Sequence, residues 1–335
     1  MIYILFALTL IIAQLVYFRI ADYFNIIDKP NERSSHSRIT LRGGGVIFYI
    51  GILLYFILEG FQYPWFFCGL TLISIIGFAD DIHHQSFILR LFIQLTAMLF
   101  MFYQWQLFQL PWYFSILVLI FCIGIINAFN FMDGINGITG TYSLVVLGAL
   151  WYINSYLVQF VDNNMIFIVM LSLVVFNFFN IRKKAKCFAG DVGALSIAFI
   201  IVFLLGLLII KTHDFSYIIL LVVYGIDSIL TIVHRIILKE KIFYPHRKHI
   251  YQIMATGKPI LIIAHEKSEI SLCVSEYNLG WVVEPKDPVK LSMAFEDIYM
   301  EYLKNKWTKK KNSREIAIEY FSKNIILEKY NGLIQ

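Results

Sequence analysis

Nine apolar runs, 2–20, 44–60, 63–79, 89–106, 112–128, 141–160, 164–181, 192–210 and 215–233, fill most of the first 233 residues. Each approaches the ~20 residues a helix needs to span a ~30 Å hydrocarbon core. Lipid satisfies no backbone N–H or C=O, so each run is predicted to be helical. Between the fifth and sixth runs the pattern reverses. Asn127–Gly140 reads NAFNFMDGINGITG, with three asparagines, one aspartate and three glycines. Such a stretch cannot face lipid. At a membrane-helix end it points to a site built for water, a partner or a ligand.

Composition supports a multi-span membrane protein and excludes an ordinary soluble domain. The chain is 59% apolar and only 15% charged. No charge precedes Arg19 and no small-residue cleavage site follows the first run, so it reads as a retained helix, not a signal peptide. Cys68, Cys122, Cys187 and Cys273 lie far apart, which argues against a disulfide framework or a zinc site. No stripe of basic and aromatic residues suggests nucleic-acid binding.

The basic residues order the loops instead. Lys29, Arg33, Arg38 and Arg42 follow the first run; Arg182, Lys183, Lys184 and Lys186 follow the seventh; Arg235, Lys239, Lys241, Arg247 and Lys248 follow the ninth. The opposite loops hold only Lys211. The excess of Lys and Arg predicts an outside N-terminus and cytoplasmic loops after runs 1, 3, 5, 7 and 9.

Those loops also hold the unusual residues. The first carries Asp28 to His36, then Arg42-Gly43-Gly44-Gly45. The third run ends in Asp80-Asp81, with His83 and His84 behind. Gly190-Asp191-Val192-Gly193 opens the eighth run, and His246-Arg247-Lys248-His249 follows the ninth. Each has a structural reading beside a functional one. Asp80-Asp81 is an acidic helix end, or a pair that binds a divalent ion or takes a proton from a phosphate. Asp191 is a helix N-cap, or an oxygen ligand for Mg²⁺ beside glycines that admit a pyrophosphate. The glycines after Arg42 are a loop-to-helix transition, or an anion nest with an arginine clamp; they lack the Gly-Lys-Ser/Thr ending of a P-loop. His246 and His249 are solvated surface histidines, or phosphate ligands beside Arg247.

Together these motifs resemble the polyprenyl-phosphate N-acetylhexosamine-1-phosphate transferases, which start peptidoglycan-lipid and O-antigen synthesis. DKPNERSSHSRITLRGGG, GFADD, NAFNFMDGINGITG, GDVGA and PHRKHIYQ occur in family order across roughly residues 1–252. The resemblance implies an all-α polytopic membrane bundle of about nine helices in the inner (plasma) membrane. It implies transfer of a HexNAc 1-phosphate from UDP-N-acetylhexosamine to polyprenyl (undecaprenyl) phosphate, with release of UMP, and Mg²⁺ as cofactor, with Mn²⁺ a possible substitute. On it, Asp191 matches the metal-binding aspartate. Asp80 and Asp81 match the pair of which one deprotonates or orients the lipid phosphate. Asn127, Asn130, Asp133 and Asn136 match the loop that positions nucleotide and metal, with Asp133 among the candidate catalytic groups. His246 and His249 match the histidine motif that contacts phosphate or sugar, with Arg247 beside them. Arg42 matches a basic residue on the active face. Ala194 replaces the usual hydroxyl residue of GDxGS. Asn136 replaces a residue often aspartate in the cell-wall branch, which favours the O-antigen or capsule branch.

The tail departs from this family. From about Met254 it resembles the C-terminal end of a GT-B, family 4 glycosyltransferase, and no tenth apolar run appears where the first family has its last helix. Residues 1–252 are therefore expected to form the transferase domain and 253–335 a partial α/β fragment, with a strand over Pro259–Ala264 and a helix over 288–304. The missing upstream half speaks for a non-catalytic remnant, as in a fusion of two neighbouring genes. The alternatives are a membrane-anchored family 4 glycosyltransferase, an inactive fusion, or a transporter. A transporter would place ionisable groups near the membrane midplane, whereas here they gather at one face.

Overall fold

The computed structural model describes residues 2–28, 39–182, 184–237, 260–285 and 287–303. The chain divides into two compact units, Met1–Phe243 and Tyr244–Gln335. The boundary expected at 252/253 lies outside the described residues.

All nine apolar runs are helical: α1 (Ile2–Tyr23), α2 (Val46–Leu58), α3 (Pro64–Ile82), α4 (Phe87–Gln104), α5 (Trp112–Met132), α6 (Ile138–Tyr156), α7 (Asn163–Asn180), α8 (Gly190–Thr212) and α9 (Val222–Ile237). Seven stretches among the described residues are long and apolar enough to cross a membrane, the last of them, Phe215–Val233, joining a 3-10 turn to α9. Of the other two runs, α2 has only 13 residues, and α6 is diluted by Thr139, Thr141, Ser143, Asn154 and Ser155. The first unit is a polytopic membrane helix bundle.

Helix α8 is its axis. Every residue from Gly190 to Leu205 is buried, and α8 packs against α2, α3, α5 and α6. A helix apolar on all sides belongs in such a position. Outer helices turn apolar side chains outward, among them Leu5 and Ile12 of α1 and Leu117 and Ile120 of α5. These match a lipid environment, where such exposure carries no hydration penalty.

At one end of the bundle, backbones approach without intervening side chains. A Cβ on Gly77 of α3 would lie 2.7 Å from Val192 Cα, and one on Gly193 would lie 2.7 Å from Gly45 Cα. Small residues permit this kind of helix contact in lipid. A short antiparallel pair, β1 (Ile27–Asp28) and β2 (Thr40–Leu41), leads the chain into this junction. There the amides of Gly44 and Gly45 donate to the carbonyls of Phe188 and Ala189 at 2.8 and 3.0 Å. The Arg42–Gly45 loop is thereby stitched to the chain entering α8.

The second unit is described as β3 (Ile260–Ile263), α10 (Glu269–Glu276), β4 (Gly280–Val283) and α11 (Pro288–Leu303). β3 and β4 pair in parallel, Ile260 opposite Gly280, with α10 between them in sequence. Trp281, Val283 and Ala294 form a small core, with Leu261, Leu291 and Ile298 packed on it. The strand and helix expected from the sequence are both present.

Candidate active site

Three acidic side chains from two helices meet two arginines at the glycine junction. Asp80 and Asp81 sit at the end of α3, where the helix has run its apolar length; Asp191 opens α8. All three are buried. Arg42 reaches in from the loop after β2. Its Nε lies 2.6 Å from Asp81 Oδ1 and its Nη2 lies 2.9 Å from Asp191 Oδ1. Arg90, one turn into α4, places Nη1 3.0 Å from Asp80 Oδ2 and 3.4 Å from Asp191 Oδ2. One nitrogen thus bridges two carboxylates that would otherwise repel.

The adjacent aspartates do different things. Asp81 Oδ1 accepts the Asp191 amide at 2.8 Å and Oδ2 accepts the Val192 amide at 3.1 Å. It caps α8 from the neighbouring helix, satisfying N–H groups that have no intrahelical partner and placing negative charge at the positive end of the dipole. Gly190 makes room: its φ of +72° is left-handed, and an added Cβ would strike the Asp81 carboxylate. Asp80 Oδ1 accepts the Gln85 amide at 2.6 Å and lies 3.4 Å from His84 Nδ1. Tyr17 steadies the loop from α1 by donating to the Arg42 carbonyl at 2.6 Å.

The NAFNFMDGINGITG segment bends at the end of α5. Asn130 donates to Asp191 Oδ2 at 3.5 Å and so faces the cluster. Asn127, one turn back, instead donates to Gln94 Oε1 at 3.3 Å and to the Ile123 carbonyl at 2.9 Å, tying α5 to α4. Asn136 donates to the Arg182 carbonyl at 3.1 Å and pins its loop to the end of α7. Buried Asn180 accepts the Gly137 amide at 2.6 Å and donates to the Cys187 carbonyl at 2.8 Å, joining the same loop to the approach to α8. His246, Arg247 and His249 lie outside the described residues.

Asp133 ends α5, just past the membrane-spanning stretch. Burial pushes its carboxyl up to about 6, with the charge of Asp191 adding and that of Arg42 opposing. The native state therefore holds this proton more tightly than the unfolded chain, whose carboxyl titrates near 3.8. The stability this group contributes falls as pH rises from about 4 to about 6. The unfolding temperature of Asp133→Asn minus that of the wild type is expected to increase across that window. A difference that stays flat, read by thermal unfolding in detergent, would remove the shift.

Of the residues in this cluster, the sequence argument missed Arg90 and Asn180. A lone arginine inside the apolar run 89–106 was the available signal, since an ionisable residue within a span marks a functional position by default. Asn180 carried no such signal, because an asparagine at a helix end is common.

The donor set suits a hard cation in its chemistry. Asp80 and Asp191 offer only oxygen, Asn130 turns its amide nitrogen to Asp191 and has its carbonyl oxygen as well, and three carboxylates exceed two guanidinium groups by one negative charge. Among the described residues no three His, Cys, Asp or Glu side chains form a group that would hold a metal alone. Mg²⁺ needs no such cage, because it takes one or two carboxylates and completes its shell with water and substrate phosphates.

Residues 63–210 match the family described as Glycosyl transferase family 4; the match lies wholly within the membrane unit. It includes Asp80, Asp81, Arg90, Asn130, Asp133 and Asp191. The chain is 28% identical over 277 residues to a probable undecaprenyl-phosphate N-acetylglucosaminyl 1-phosphate transferase of Bacillus subtilis (strain 168), covering 75% of each protein. It is 27% identical over 266 residues to the undecaprenyl-phosphate alpha-N-acetylglucosaminyl 1-phosphate transferase of Escherichia coli (strain K12), covering 70% of this chain and 71% of that one. A relative of the same description in Yersinia pestis is 27% identical over 207 residues, 56% of each chain.

Proposed function

We propose that the membrane unit, which matches the family described as Glycosyl transferase family 4, is a polyprenyl-phosphate sugar-1-phosphate transferase, and that this chain moves an N-acetylhexosamine 1-phosphate from a UDP-sugar to undecaprenyl phosphate. An oxygen of the lipid phosphate attacks the sugar-bearing phosphorus. The bond from that phosphorus to the bridging oxygen breaks, and UMP leaves with that oxygen. One phosphoanhydride replaces another, so positioning and charge neutralisation carry the catalysis.

The observation that carries this reading is the junction of Asp80, Asp81, Asp191, Arg42 and Arg90 at one end of the bundle. Arg42 and Arg90 supply positive charge for two phosphorylated substrates. Asp80, beside Arg90, orients the lipid phosphate or takes its proton. Asp133 and Asn130 position the donor diphosphate against Asp191. His246, His249 and Arg247 contact phosphate or sugar, on the family resemblance alone. Asp191, with Asp80 and Asn130 nearby, would hold Mg²⁺, which when bound neutralises diphosphate charge. The site faces the cytoplasm of an inner (plasma) membrane, where UDP-sugars are made, and the product starts an O-antigen, capsule or cell-wall glycan.

Purified protein given undecaprenyl phosphate and a panel of UDP-N-acetylhexosamines is expected to release UMP with at least one donor. Release should stop on chelation with EDTA and return with excess Mg²⁺. Well-folded protein that releases no UMP from any donor would refute the reading. The matched segment lies in the membrane unit, which favours this reading over a working GT-B tail.

A further inference from the structure

Both oxygens of the Asp191 carboxylate are engaged by arginine, Oδ1 by Arg42 at 2.9 Å and Oδ2 by Arg90 at 3.4 Å. A divalent cation and a guanidinium group cannot share one carboxylate oxygen in the same direction without strong repulsion. We propose that Arg90 is a positioning residue that competes with the divalent cation for Asp191, so that the cation binds tightly only when a diphosphate arrives to draw the arginine charge away. The inference rests on the metal role given to Asp191 above and adds a residue and a binding order to it.

Two observations single out Arg90 over Arg42. First, Arg42 is anchored independently of Asp191. Its Nε is paired with buried Asp81, and its own backbone is held by Tyr17 and by the Ile26 carbonyl. Second, Arg90 rests on the cluster through Nη1 alone, shared between Asp80 and Asp191, and the longer of its two contacts is the one to Asp191. It can keep Asp80 while leaving Asp191. Exposure does not separate the two arginines, Arg42 being 33% and Arg90 24% exposed, but it does leave Arg90 room to turn toward an incoming anion. A diphosphate accepts an arginine through charge-assisted hydrogen bonds at least as well as a carboxylate does. The exchange leaves each charge paired: arginine with phosphate, and Asp191 with the cation. In this way the resting site avoids an unpaired buried carboxylate, which is strongly unfavourable.

The test is metal binding without turnover, with free Mn²⁺ read from its aquo EPR signal and protein-free UDP controls subtracted. Wild-type protein in detergent is expected to bind Mn²⁺ at least tenfold more tightly with saturating UDP than without it. Arg90→Gln is expected to bind Mn²⁺ at least tenfold more tightly than wild type in the absence of UDP and to lose most of the UDP effect. Arg90→Lys, which keeps one positive charge, is expected to restore weak binding without UDP. A merely structural arginine would not behave this way, because its loss would loosen the site and weaken the metal. Equal or weaker binding by Arg90→Gln would overturn the proposal. If that variant does not fold, the wild-type arm still decides: no UDP effect on Mn²⁺ affinity would overturn it. Inorganic pyrophosphate in place of UDP separates the two readings. Tightening by pyrophosphate but not UDP would support the competition and count against a uridine-nucleotide donor. UMP release in the donor assay without any coupling here would do the reverse.

Discussion

Asp191→Asn is expected to lower UMP release by roughly 10²–10³-fold or more, the loss seen when one preorganised charge-stabilising group is removed from a site of this kind. Asparagine keeps the size and the helical position. The Asp191 amide would still donate to Asp81 Oδ1, because that bond is made by the backbone. Arg42 would retain Asp81 and Arg90 would retain Asp80. The fold therefore has little reason to fail, and an unfolding temperature close to wild type should accompany the loss of turnover. What disappears is the single carboxylate on which Arg42, Arg90 and Asn130 converge. Wild-type rates in the UMP assay would show that the convergence is structural only. A loss partly repaired by higher Mg²⁺ would fit a cation site that is weakened but still able to fill.

The sequence made the fold legible because lipid leaves few options. Apolar runs of about 20 residues have one backbone solution there, and α1 to α9 follow the runs closely. Span counting was less exact, since hydrophobicity does not separate a 13-residue helix such as α2 from a crossing one. The candidate site was legible as a set of loops. Polar clusters after alternate helices had to share a face, and Arg42, Asp80, Asp81, Asn130 and Asp191 do meet. The division of labour among them was not legible. Adjacent aspartates point different ways from a helix end, and no spacing rule says which will reach the neighbouring helix. Asn127 and Asn130 looked equivalent in the motif, yet one turn of α5 directs the first to Gln94 and the second to Asp191. Arg90 was hidden because its run reads as lipid-facing, and only packing α4 against α3 brings it beside Asp80.

Asp81→Ala is expected to cost about 2–6 kcal/mol of stability, at ~1–3 kcal/mol for each of two buried amides left without an acceptor. Activity should be lost with it. The argument rests on what the carboxylate holds: two N–H groups at the start of α8, at 2.8 and 3.1 Å, and the Arg42 Nε at 2.6 Å. The Asp81 side chain is fully buried, so the two α8 amides would be left without an acceptor, whereas Arg42, a third exposed, would keep Asp191. Asparagine would not repair it, because only one of its two terminal atoms can accept. Asp80→Ala provides the contrast. Asp80 is buried too, but it holds one nearby amide of its own chain, Gln85, and a partly exposed Arg90, against the two amides of α8 held by Asp81, so its removal should reduce UMP release while lowering the unfolding temperature less. An Asp81→Ala protein that unfolds at the wild-type temperature would refute the capping role. A result in which Asp80→Ala is the less stable of the two would reverse the assignment. Because α8 is the helix around which the bundle packs, the cap on its first turn connects the stability of the fold to the placement of Asp191.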